Sequence, residues 1–161
     1  MNAIVTVDNN WAIENKHKPF VSIPAETKTR MQEIAGKAVV YDLRYLPNLP
    51  GSQPITGCQN FIYKDKVEGS VKGALCFDTL SELRKALSKV TDEIYVIHGE
   101  AIYREFMKDF SVIHVTKIDY EYTADAFFEN LDKNPDFIIT ARSDEMYCFD
   151  VVYEFIKYER R

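Results

Sequence analysis

The sequence predicts an α/β protein with a mostly parallel central sheet, helices on both faces and antiparallel strands added at the C-terminal end. Three observations carry this. Short β-rich runs alternate with helical segments from "NAIVTVD" to "EAIYREFMKD". Among those runs "DEIYVIH" reads as a strand buried on both sides, as parallel sheets require. Beyond "SVIHVTKIDYEY" the helices stop, and "FIITARS" and "VVYEFIKYER" remain to pair as a closing antiparallel hairpin around "DEMYCFD".

The elements follow in chain order. "NAIVTVD" is a short β-rich run and the expected central strand. "NNWAIENKHKPFVS" is polar, with one Trp and a Pro, and reads as a long loop. "IPAETKTRMQEIAG" reads as a helix: Pro24 suits its first turn, Glu26 its positive end and Gly36 its C-terminal stop. "KAVVYD" is strand-like. The stretch that follows holds Pro47, Pro50 and Pro54 with Gly51 and Gly57, so it supports at most a short helix and then a turn-rich loop. "NFIYK" and "GALCF" are strand-like. "DTLSELRKALSKV" is an amphipathic helix with Leu80, Leu83 and Leu87 as its apolar stripe and Asp78 as its expected N-cap. "DEIYVIH" is a strand, "EAIYREFMKD" a helix, and "SVIHVTKIDYEY" alternates like a strand.

Length and composition bound the function. A chain of 161 residues suits one domain, 1–161, with a real core. Hydrophobic residues at 46% and charged residues at 28% exclude a disordered chain. A net charge of −5 argues against a nucleic-acid binder held by a basic surface. No apolar run approaches the roughly 20 residues of a membrane span. No charged segment followed by an apolar one opens the chain, so no secretory signal is expected. Cys58, Cys76 and Cys148 are unpaired in spacing, which fits a reducing cytoplasm, and His17, His98 and His114 form no metal-ligand pattern.

In sheets of this kind ligands bind at the carboxyl ends of the strands, near a switch in strand order. Chemistry is therefore expected just after "IVTVD", "AVVY", "IYVI" and "HVTKID", or on the first helix. One such junction is unusual. In nucleotide-binding α/β folds the turn after a strand like "IYVI" lies against phosphate and is glycine-rich; here it reads His98-Gly99-Glu100.

The ordered set "VDNNWAI", "IPAE", "GKAVVY", "DEIYVI-G-AIYREF", "VTKIDYEYTADAFF" and "YEFIKYERR" resembles dihydrofolate reductase along the whole chain. The resemblance implies a three-layer fold on an eight-stranded, mostly parallel sheet. It also implies NADPH as donor of a hydride to the pterin ring of dihydrofolate; a cytoplasmic monomer is expected. Glu26 falls where the family places its acidic active-site residue, which accepts two parallel N–H bonds from the pterin while a water delivers the proton. Thr116 matches the threonine supporting that carboxylate. Ala3 and Val5 match the strand beneath the pterin. Ile13, Ile97 and Tyr103 match residues at the nicotinamide end, and Trp11 the aromatic of the mobile loop.

The departures from the family fall on its binding motifs. Its Gly-Arg-x-Thr/Ser turn becomes Asp42-Leu43-Arg44-Tyr45, with Arg44 one place displaced as a substitute phosphate ligand. Its Gly-Gly turn, which carries a cis peptide, becomes His98-Gly99; a cis bond without proline costs about 3–4 kcal/mol, and His98 adds bulk. Asp42 and Glu100 start helices that would otherwise attract pyrophosphate, so each is expected to satisfy its own helix end and repel the cofactor. Glu14 adds a loop acid, read on its own as a solvated charge. Cys58 matches the arginine that grips the folate tail, Val21 a tryptophan, and Arg30 an apolar ring position. Glu26 and Arg30 lie one helical turn apart and can pair, which would hold Glu26 as the carboxylate; alternatively Arg30 meets the substrate carboxylate. Three readings follow. One is a divergent NADPH-dependent dihydrofolate reductase, and the second a binding protein on the same fold that has lost the NADPH site. The third is a reductase of another pterin-like or flavin-like substrate.

Overall fold

The computed structural model describes residues 1–161. The first half runs β1 (Asn2–Val7), β2 (Ala12–Glu14), α1 (Pro24–Ile34), β3 (Ala38–Asp42), β4 (Gln59–Tyr63), β5 (Leu75–Phe77) and α2 (Leu80–Leu87). The second runs β6 (Ile94–Val96), α3 (Glu100–Phe106), β7 (Val112–Ile118), β8 (Ala126–Phe127), β9 (Phe137–Arg142), β10 (Met146–Cys148) and β11 (Val151–Arg160).

Across the main sheet the order is β10-β11-β7-β1-β6-β3-β4-β5, with β9 also pairing β11. β9 and β10 both lie on the edge of β11 away from β7, so the sheet is eight strands wide. Pairings from β7 to β5 are parallel, and those of β11 with β7, β9 and β10 are antiparallel. The expected architecture and the C-terminal antiparallel hairpin are both present. β1 sits between β6 and β7, and the chain crosses over it from one to the other. Its carboxyl end is therefore a switch point, where a crevice opens between diverging connections.

Alternation along the strands explains the two cores. On one face Val5, Val40, Val96 and Val115 pack with Leu83 and Leu87 of α2 and Ile102 and Phe106 of α3. On the other, Ile4, Val39, Tyr41 and Ile62 meet Ile34 of α1. Successive residues bury on opposite faces, so β3 is buried throughout.

Several local expectations shift. Pro24 does open α1, and Gly36 follows its end at φ +76°, a left-handed position that favours glycine. α2 is capped by Thr79, whose hydroxyl accepts from the Glu82 N–H, while the expected cap Asp78 pairs with Lys64 at 3.1 Å. β7 ends at Ile118 rather than running to Tyr122, because the Asp119 N–H turns to Val152 and the Tyr122 N–H to Asp8. The long loop after β1 contains β2, which pairs with β8 as a separate ribbon. The turn "DEMYCFD" contains β10. No helix is long and apolar enough to cross a membrane.

Candidate active site

At the carboxyl end of β1 a cleft opens between the sheet, α1 and the turn after β3. Two adjoining cavities, of about 180 and 260 Å³, share Val5, Thr6, Glu26, Tyr45 and Ile97 as walls. Glu26 projects there because helix α1 starts beside the strand end, and Pro24 fixes that start. Its Oε2 accepts a 2.9 Å hydrogen bond from the Thr6 hydroxyl. That bond orients the carboxylate and leaves Oε1 for a ligand. Val5, Val21, Ile13, Ile97 and Tyr103 line the cleft. The Tyr103 hydroxyl donates to the Ile4 carbonyl at 2.6 Å, fixing the ring against β1.

Three expectations are corrected here. Ala3 is fully buried in the core and does not wall the cleft. Thr116 does not support Glu26; it accepts a 3.0 Å bond from Arg30 Nη2, and Thr6 takes the supporting role. Arg30 does not ion-pair with Glu26. Its guanidinium turns to Thr116 and lies 4.7 Å above the Phe155 ring, and Glu26 acts on its charge only at longer range. Thr6 was the residue missed, although a hydroxyl at a strand's carboxyl end in the expected ligand region is a readable signal.

On the other side of Tyr45 lies the His98 turn. The imidazole Nε2 is 2.9 Å from Glu14 Oε2, and Nδ1 is 3.4 Å from Asp42 Oδ2. His98, Glu14 and Asp42 are 8%, 4% and 7% exposed. These are close charge contacts in which neither ring nitrogen is well aligned for a hydrogen bond. The Tyr45 ring stacks on His98 at 4.2 Å. Glu14 is thus no solvated loop charge. Asp42 does cap its own 3-10 turn, accepting from the Tyr45 N–H at 3.1 Å. Glu100 does not cap α3; it accepts the Phe127 N–H at 2.7 Å and so pins β8. Arg44 does not reach this turn, because Asp65 holds it at 2.6 Å. Cys58 turns its thiol to the Ile34 carbonyl. Gly99 is trans, at φ +116°, and a Cβ there would lie 2.9 Å from Ile102 and 3.1 Å from Asp42, so only glycine fits. Trp11, in the segment between β1 and β2, is buried against Phe128 and Tyr158.

Burial alone would lower the His98 pKa, but Asp42 and Glu14 outweigh it and push it up to about 9. Burial also raises Tyr45, to about 12, so that ring stays neutral throughout the same range. A raised histidine pKa stabilises the fold fully below the unfolded value of about 6.5, and that contribution is lost as pH rises through about 9. Chemical-denaturation stability measured from about pH 6 to pH 10 is expected to fall by on the order of 3 kcal/mol. A His98→Gln variant is expected to lose most of that slope; an equal slope in the variant would place the titration elsewhere.

As its side chains stand, this groove is poorly matched to the phosphates of NADPH. The Tyr45 and His98 rings fill the turn, and the depression beyond them is walled by the carboxylates of Glu14, Asp42, Asp65, Glu100 and Asp125. A pyrophosphate needs free N–H groups and cations there.

The family profile described as dihydrofolate reductase matches residues 1–160. Dihydrofolate reductase type 5 of Escherichia coli is 29% identical over 79 residues, 48% of this chain and 50% of that protein. The match therefore spans half the length of that curated relative. A solved dihydrofolate reductase from Enterococcus faecalis, complexed with NADP(H) and RAB-propyl, superposes with a TM-score of 0.81. It is 17% identical over 99% of this chain and 95% of that one, a likeness of fold.

Proposed function

Because this chain belongs to the dihydrofolate reductase family, we propose that its cleft takes the pterin ring of dihydrofolate and that the protein is a divergent dihydrofolate reductase. The observation that carries this is Glu26, held by Thr6 in a ring-sized cleft at the switch point of the sheet. In this reading Glu26 accepts ring N–H groups, Thr6 keeps the carboxylate in the ring plane, and Val5, Ile97 and Tyr103 form apolar walls that exclude water. NADPH is the hydride donor that the family implies. For it to approach the ring, Tyr45 and His98 must leave the positions they hold. A second reading, a pterin-binding protein that no longer takes NADPH, is favoured by one observation, the buried Glu14–His98–Asp42 bridge.

Two measurements decide. Dihydrofolate is expected to raise the melting temperature of the protein, and Glu26→Gln to weaken binding roughly 10- to 100-fold, as loss of a charged hydrogen bond does. No shift with dihydrofolate removes the pterin reading. Dihydrofolate-dependent loss of NADPH absorbance supports the reductase. Dihydrofolate binding without any response to millimolar-range NADPH selects the second reading.

A further inference from the structure

Arg30 is a cation placed inside a cleft whose other polar anchor is a carboxylate. It lies one helical turn after Glu26 and walls the same cavity. One nitrogen, Nη2, donates to Thr116 Oγ1 at 3.0 Å, and the Nε is buried with no partner. The guanidinium lies over Phe155. Desolvation is the leading influence on its charge, offset by Glu26 and Glu33 at a distance. Glu33 is itself taken up by His114 at 3.2 Å and by the Tyr95 hydroxyl. The walls of one cavity therefore include both an acceptor-only group, Glu26, and a donor-only group, Arg30.

We propose that Arg30 sets which ring edge the cleft accepts: an oxo edge, neutral or anionic, with a ring N–H to Glu26 and a carbonyl oxygen toward Arg30. This rests on the pterin reading above and narrows it. A lactam edge offers a donor beside an acceptor and matches both groups. A protonated diamino ring offers N–H groups and a positive charge. It satisfies Glu26 but brings a second cation toward a desolvated guanidinium, and like-charge juxtaposition of that kind disfavours binding. Arg30 is a specificity-determining residue in this account, and Glu26 remains the anchor.

The test is a comparison of two bicyclic probes, the dioxo ring lumazine and 2,4-diaminopteridine, by calorimetry or ring fluorescence at neutral pH. Wild type is expected to prefer lumazine by at least roughly tenfold, and Arg30→Met to reverse the order. Should Arg30→Met fail to fold, Arg30→Gln, which keeps a donor for Thr116, makes the same comparison. Binding of both probes with an order unchanged by either variant overturns the role of Arg30 and leaves the pterin reading standing. A wild-type preference for the diamino ring does the same. If neither probe nor dihydrofolate binds, the inference falls together with the reading beneath it.

Discussion

His98→Ala is expected to lower folding stability by about 3–5 kcal/mol at neutral pH, the usual result of removing one partner from a buried ion cluster. The loss arises less from the missing contacts than from what stays behind. Glu14 and Asp42 would face each other, 4% and 7% exposed, across the space of an imidazole. Tyr45 would also lose the ring on which it stacks. For a chain of this length that corresponds to a fall in melting temperature of roughly 10 °C. The effect should be strongly non-additive: Glu14→Gln, His98→Gln and Asp42→Asn together remove every charge and should cost less than His98→Ala alone. It should also shrink toward pH 10, where wild-type His98 is itself neutral. A denaturation measurement showing a loss under about 1 kcal/mol, or a triple variant worse than the single one, would mean the bridge is hydrated and open.

The groove bears directly on how far the sequence could be read. Strand and helix order was legible because it rests on runs of apolar residues, and those runs are fixed by the two cores. β2, β8 and β10 were not. Each is two or three residues long and exists because a partner strand lies beside it, not because of its own pattern. Asp78 and Thr79 are adjacent and both good caps, so only the geometry of α2 separates them. In the site, Glu26 was legible only through the family resemblance; its place in the first turn of a helix that begins with Pro24 reads by itself as a charge at the helix dipole. Glu14 was not. Within its own polar loop it looks solvated, and it is buried only because His98 arrives from the far end of another strand. Arg30 was ambiguous for the same reason: one helical turn places it near Glu26, and only the fold brings in Thr116 and Phe155 to draw it away. Residues whose role depends on one long-range partner carry no periodic signal.

Asp8→Ala is the second large effect expected, again about 3–5 kcal/mol, through backbone rather than charge pairing. Asp8 is fully buried at the end of β1. Its Oδ1 accepts the N–H groups of Asn10 at 2.8 Å and Ala12 at 2.9 Å, and its Oδ2 accepts that of Tyr122 at 2.9 Å. One carboxylate thus closes the turn into β2 and ties it to the segment after β7. Alanine would leave those donors without an acceptor; the Ala12 N–H is buried and the other two partly so, and a buried unpaired N–H is costly. Trp11 adopts a left-handed backbone at φ +61° within this turn, a conformation that persists only where its surroundings impose it. Loss of Asp8 should therefore release the turn locally before the sheet melts. Because Ile13 walls the cleft and Glu14 anchors His98, both halves of the site should loosen together. Hydrogen exchange should show lost protection at Asn10, Ala12 and Tyr122 ahead of β1 and β7. Asp8→Asn, which keeps one acceptor oxygen, should fall between wild type and alanine. Unchanged protection at all three amides in Asp8→Ala would show that packing of Trp11 against Phe128 and Tyr158 holds the turn without the carboxylate.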